Sequence, residues 1–289
     1  MKGGAVIAWS IGGAVAFVGL VAAIAKRKLD QAEVSGGEVE LTTADLFPVS
    51  VTPVTSEKSP YVLVGLHQTP TGATSLSQAD IIQAVRDGKL EYHWTDLPGF
   101  DGVQVFEDAG RIDGLRVPVT ARTTAAIVDI LSSSLGATIS PTTPLVEDLM
   151  YNDANTRVRP MPQQVDSPNS VALFSLSLDK QIAKQTSGRP GWGLVSCVGK
   201  SWVISNLALD HPGKAVNYGM HWPASAATTG SGPWPSVDNK SKVFQQPSTM
   251  HNADHSDYSQ TLRLCKLATG AQLPSHETLR ATRLWYEQA

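Results

Sequence analysis

His251-Asn-Ala-Asp-His-Ser-Asp-Tyr-Ser-Gln260 leads directly into the apolar run Thr261 to Ala268, and the fold turns on how this junction is read. The run, extended back to Tyr258, has the composition of a buried strand and predicts the last long strand of the chain. The ten residues before it hold two of the seven histidines, two aspartates and a tyrosine. Titratable groups packed against a buried strand mark a candidate site.

Working back from this junction, the chain reads as β and loop as far as Pro190. Lys242-Val-Phe-Gln-Gln246 and Val216-Asn-Tyr-Gly-Met-His-Trp222 are extended segments, separated by a loop from Pro223 to Lys240 rich in Pro, Gly, Ser and Thr. Gly193 to Val198 and Ser201 to Ser205 predict two strands turning at Gly199-Lys200. Before Pro190 the pattern is helical. A helix is expected from about Ser167-Pro168 to Ser187-Gly188, with Val171, Phe174, Leu178 and Ile182 on its buried side. Another opens at Thr143-Pro144 and ends near Asn155, with Glu147 and Asp148 placed to answer the helix dipole. Thr120 to Leu135 carries an apolar stripe and stops at Gly136. Val103 to Phe106 and Arg111 to Val117 read as strands. This mixture predicts an α+β main domain over residues 99–289 with antiparallel strands.

Residues 61–98 read as a small strand-helix-strand module. Its strands are Tyr61 to Leu66 and Leu90 to Thr95, and Ser77-Gln-Ala-Asp80 has the form of a capping box. Residues 29–60, with Pro48, Pro53 and Pro60, form a linker. Gly4 to Ala25 is 22 residues without a charge, enough to cross a bilayer, so residues 1–28 predict an uncleaved transmembrane anchor. Gly12, Gly13, Ala16 and Gly19 would let such helices self-associate. Lys26-Arg-Lys28 after the span favours a single-pass protein with its body on the cytoplasmic side.

A net charge of −3 argues against an electrostatic nucleic-acid binder, leaving membrane lipid as the partner the sequence implies most directly. Cys197 and Cys265 sit in apolar contexts and read as buried small hydrophobes.

His221, His251 and His255 with Asp257 are the candidate metal set. Imidazoles plus one carboxylate and an open position suit a divalent metal such as zinc. Two geometries are open at the junction: a strand places His255, Asp257 and Ser259 on one face, whereas a helical turn stacks His251 on His255. A metal-free site is equally readable. There Asp257 orients His255 as general base, and Tyr218, Lys200 or Asn217 stabilises developing negative charge. The same groups would also serve as a hydrogen-bonded brace for long loops.

Gly199-Lys-Ser-Trp-Val-Ile-Ser-Asn206, Ala215-Val-Asn-Tyr-Gly-Met-His221, the 251–260 stretch and Asp113 to Arg122 together resemble an uncharacterised domain of bacteria and their phages. That similarity covers about Gly99 to Pro274, and the domain is sometimes joined to peptidoglycan-binding modules. His211-Pro-Gly-Lys-Ala-Val-Asn217 is more loosely similar to a ligand segment of D-Ala-D-Ala zinc carboxypeptidases. Its spacing is one residue short, Asn217 replaces the acidic ligand and Met220-His221 replaces Trp-His, so the similarity is one of composition. The first resemblance implies a cell-wall context and no particular activity; joined to the clustered His and Asp groups, it leads to the expectation of a membrane-anchored hydrolase of bacterial or phage origin acting on cell-wall peptidoglycan. The alternative is a non-enzymatic virion or envelope structural protein anchored in a membrane.

Overall fold

The structure is a computed structural model that describes residues 76–153, 158–161, 170–186, 195, 198–226 and 232–281. The expected anchor, the linker, the strand at Tyr61 to Leu66, Cys197, and Leu284 and Trp285 of the tail lie outside the described residues, as does most of Gly193 to Val198. Among the described residues, no helix is long and apolar enough to cross a membrane.

The architecture is mixed α and β, with antiparallel sheets. Helix α1 (Gln78–Arg86) begins where the capping box requires. The Ser77 hydroxyl accepts from the Asp80 N–H, and the Asp80 carboxylate accepts from the Ser77 N–H. Helix α2 (Ala121–Leu135) is capped by Thr120 and stopped by Gly136 in the left-handed region. Helix α3 (Pro144–Asn152) starts at the Thr143 cap with proline in its first turn, and helix α4 spans Ser170–Thr186.

The first sheet contains β1 (Trp94–Asp96), β2 (Val103–Phe106), β5 (Thr138–Pro141) and β10 (Leu264–Leu267), in the order β1-β2-β10-β5. β10 is therefore central, with Cys265 registered against Val105 on one side and Ser140 on the other. The boundary expected at residues 98–99 falls inside the antiparallel β1–β2 pair. Ile81, Val85 and Leu90 also share one core with Ile127, Leu131, Trp202, Leu262 and Leu264. Each such fully buried aliphatic side chain contributes about 1.5–3 kcal/mol.

Two expected strands are corrected. Arg111 to Val117 is a hairpin of β3 (Arg111–Ile112) and β4 (Leu115–Arg116), turning through Asp113 and Gly114, both at positive φ. An Asp-Gly pair favours this two-residue turn. The last strand is also shorter than Tyr258 to Ala268. Only Leu264–Leu267 pairs regularly, while Gln260 and Thr261 form single bridges to Lys200 and Pro118. A turn holds the earlier residues: Asp257 N–H donates to Gln260 Oε1, and Gln260 N–H donates to the Asp257 carbonyl.

The second sheet has the order β6-β7-β9-β8, from β6 (Lys200–Val203), β7 (Val216–Trp222), β8 (Trp234–Pro235) and β9 (Lys242–Ser248). β5 and β8 are elements the pattern reading did not anticipate. Residues Pro274 to Ala281 contain no helix. Hairpin β3–β4 is joined to α4 by buried charges. Asp179 accepts from Arg111 and Arg116, and Asp108 accepts from both arginines. Burial opposes ionisation of Asp108, but Arg116 and Arg111 outweigh it and hold the carboxyl well below its usual range.

Candidate functional site

β7 sets the geometry, because it does not alternate throughout. Its register with β6 pairs Trp202 with Asn217 and Ser201 with Tyr218, and directly paired residues share a face. Lys200, Trp202 and Asn217 therefore lie on one face, and Ser201 and Tyr218 on the other. The pairing with β9 shifts register between Asn217 and Gly219, where Gly219 and Met220 take φ of 125° and 60°. The extra residue of this shift lies in β9, but the consecutive positive φ at Gly219 and Met220 breaks the alternation of β7, so Met220 joins the cluster of Phe244 and Tyr258 while His221 follows Tyr218. Unbroken alternation would have put His221 with Asn217.

The 251–260 segment covers the first face. His255 N–H donates to the Asn252 carbonyl in a turn, and the His251 and His255 rings stack with centroids 3.8 Å apart and planes 4° apart. The turn geometry is the one adopted. Lys200 Nζ donates to Asp257 Oδ2 at 2.6 Å, and Asp257 Oδ1 accepts from both the N–H and the hydroxyl of Ser259. His255 Nε2 lies 3.8 Å from Asp257 Oδ2 and has no hydrogen-bond partner. Burial disfavours the Asp257 carboxylate, but the Lys200 ammonium and the hydrogen bonds from Lys200 and Ser259 more than offset this and lower its pKa. Burial, followed by the neighbouring His255 and Lys200, lowers the pKa of His251, which favours its neutral form.

The opposite face holds a buried second cluster. Asp148 Oδ1 accepts from the Tyr218 hydroxyl and meets His221 Nε2, each at 2.6 Å. His221 and Asp148 have no exposed surface, and the His221 ring stacks on Tyr151 at 5.2 Å. Because the carboxylate accepts, Nε2 carries the proton and Nδ1 is left without a partner. The loop after β8 closes this cluster: Val237 N–H donates to the Tyr218 hydroxyl and Asp238 N–H to Asp148 Oδ2. The Asn152 side chain anchors Asp238 from α3.

The structure thus brings His251, His255, Asp257 and Lys200 together and places His221 and Tyr218 across the sheet from them. The expected metal set does not assemble. His221 is engaged by Asp148, and a lysine ammonium occupies the Asp257 oxygen nearest His255. Among the described residues, no group of three or more His, Cys, Asp and Glu side chains is arranged to hold a metal ion. Lys200 is 5% exposed and directs its ammonium at Asp257, so its visible contact is with that carboxylate.

Sequence reasoning missed Asp148 as the partner of His221, having placed it at the positive end of the helix dipole. A legible signal was present: Asp148 and Tyr151 are three residues apart on one helix, a spacing that puts both on one side. His211 occupies a turn, donating its N–H to the Ala208 carbonyl and accepting at its own carbonyl from the Lys214 N–H. Cys265 is buried and free, and burial pushes its thiol pKa up. Comparison with known proteins finds no matching family model, no matching curated sequence and no matching solved structure.

Proposed function

We propose that the chain is a membrane-anchored hydrolase of bacterial or phage origin acting on cell-wall peptidoglycan, with His255 as its general base. One observation carries this reading: in a partly exposed imidazole, the buried and unpartnered Nε2 stands 3.8 Å from a carboxylate held ionised by Lys200 and Ser259. In this role His255 Nε2 takes a proton from water, the hydroxide attacks the scissile carbonyl, and the imidazolium returns the proton to the leaving amine. Asp257 stabilises the charge the ring acquires, and Lys200 keeps that carboxylate ionised and in place. Peptidoglycan as substrate rests on the resemblance noted above. The anchor rests on the uncharged Gly4–Ala25 stretch and the basic residues after it. Peptidoglycan lies across the membrane from the side favoured by those basic residues, so on this reading either the anchor has the opposite orientation or the protein meets the wall from within a virion or after lysis.

A second reading is favoured by the saturation of Asp257, both of whose oxygens are already engaged within the protein. On that reading the junction is a structural corner, and the chain is a non-enzymatic virion or envelope protein. Release of soluble fragments from purified sacculi by the full chain in detergent separates the two. The hydrolase reading expects a loss of about 10²–10⁴-fold for His255→Ala, no effect of EDTA, and an unchanged fold by circular dichroism. Equal release by wild type and His255→Ala overturns it and leaves the structural reading.

A further inference from the structure

The face beneath the 251–260 segment contains polar groups that neither the fold nor the proposed base chemistry uses. Asn217 has no exposed surface, and neither its side-chain oxygen nor its nitrogen has a hydrogen-bond partner. Gln260, also fully buried, spends its Oε1 on the Asp257 N–H and leaves Nε2 unpartnered. The β6–β7 register sets Asn217 on the same face as Lys200, and Lys200 is bridged to Gln260. Folding leaves buried amides unpaired only at a cost, so a built-in donor and acceptor of this kind point to a ligand.

We propose that the Asn217 carboxamide, aided by Gln260 Nε2, is the recognition element for a secondary amide of the substrate. This rests on the hydrolase reading and extends it to a substrate class. A carboxamide presents a donor and an acceptor in one plane, the complement of an amide's own C=O and N–H. Gln260 Nε2 adds a second donor, for the carbonyl oxygen. Residues 250–256 lie over this face without forming a helix; they are held by the buried Ala253, whose carbonyl accepts from the Arg122 N–H, by one bridge from Asn252 to Lys214 and by the solvent-exposed Arg122–Asp254 pair. In peptidoglycan a secondary amide comes from either the stem peptide or the N-acetyl group of the glycan.

The test is calorimetric binding to the full chain in detergent, using a synthetic stem pentapeptide and, separately, a peptide-free N-acetylglucosamine tetrasaccharide. Binding of either identifies the source of the amide. The expected signature is that Asn217→Leu loses about tenfold or more in affinity while its Tm rises by about 2–4 °C, because an unpaired buried amide has been replaced by an apolar side chain. Unchanged affinity in Asn217→Leu, a lowered Tm, or failure of wild type to bind either probe overturns the proposal. The base reading fails separately: binding without turnover of sacculi leaves the amide site standing, whereas turnover with an unchanged KM in Asn217→Leu removes the amide site alone.

Discussion

At the scale of single residues, Asp257 links the candidate site to stability. Its carboxylate accepts from Lys200 and twice from Ser259, and its folded pKa lies below the ordinary value. A carboxylate depressed on folding adds stability that is complete above the unfolded pKa of about 3.9 and disappears as pH falls through the folded value. Thermal melts from pH 6 down to pH 2 should therefore show an acid-side loss that Asp257→Asn reduces below about pH 4. A wild-type slope retained in the mutant would mean that the Lys200 contact does not persist in solution. His251 acts in a higher window. Its lowered pKa favours the neutral ring, so its contribution weakens as pH drops below about 6.5.

At the scale of elements, the irregularity at Gly219-Met220 in β7, opposite the bulge in β9, decides which face receives His221. Gly219 has φ of 125°, and a Cβ there would stand 2.9 Å from the Gly199 carbonyl oxygen. Gly136 supplies a control: its φ is 57°, but a Cβ there meets nothing within 4 Å. Gly219→Ala is expected to cost about 3 kcal/mol, from backbone strain and overpacking together, against about 1 kcal/mol for Gly136→Ala. Urea denaturation of the two variants measures the difference. Equal losses would show that β7 accommodates the methyl group by shifting its register. This irregularity is also why the expected convergence of His221 with His255 fails. Period-two alternation puts Asn217, Gly219 and His221 on one side, and the positive φ at Gly219 and Met220 reverses His221.

At the scale of the molecule, buried charges join parts of the chain far apart in sequence. Asp179 on α4 is wholly buried and accepts from Arg111 and Arg116, with Asp108 completing the group. Removing one member strands arginine charge in the interior, so Asp179→Ala should destabilise the fold by about 3–5 kcal/mol in chemical denaturation. A loss under about 1 kcal/mol would mean that solvent reaches those arginines in the native state. The central strand β10 makes a similar long-range connection, since it completes a sheet whose other strands lie between residues 94 and 141.

What the sequence determined by itself is local. The Ser77 and Thr143 caps, the Gly136 stop and the apolar stripes of α2 and α4 were readable because caps and periodicity are set by residues within a turn or two of one another. The range of β7 was legible for the same reason, and so was the stacking of His251 on His255 as one of two alternatives. The tertiary structure alone decided the insertion of β10 between β2 and β5, the pairing of Asp148 with His221, and the division of the polar residues between two faces. The first two depend on partners 70 or more residues away, for example Asp148 and Tyr218, and the third on the pairing of β7 with β6 and β9. Side-chain pattern in one strand says which residues share a face, but a bulge is settled by backbone hydrogen bonds to its neighbour, and those form only when the sheet does.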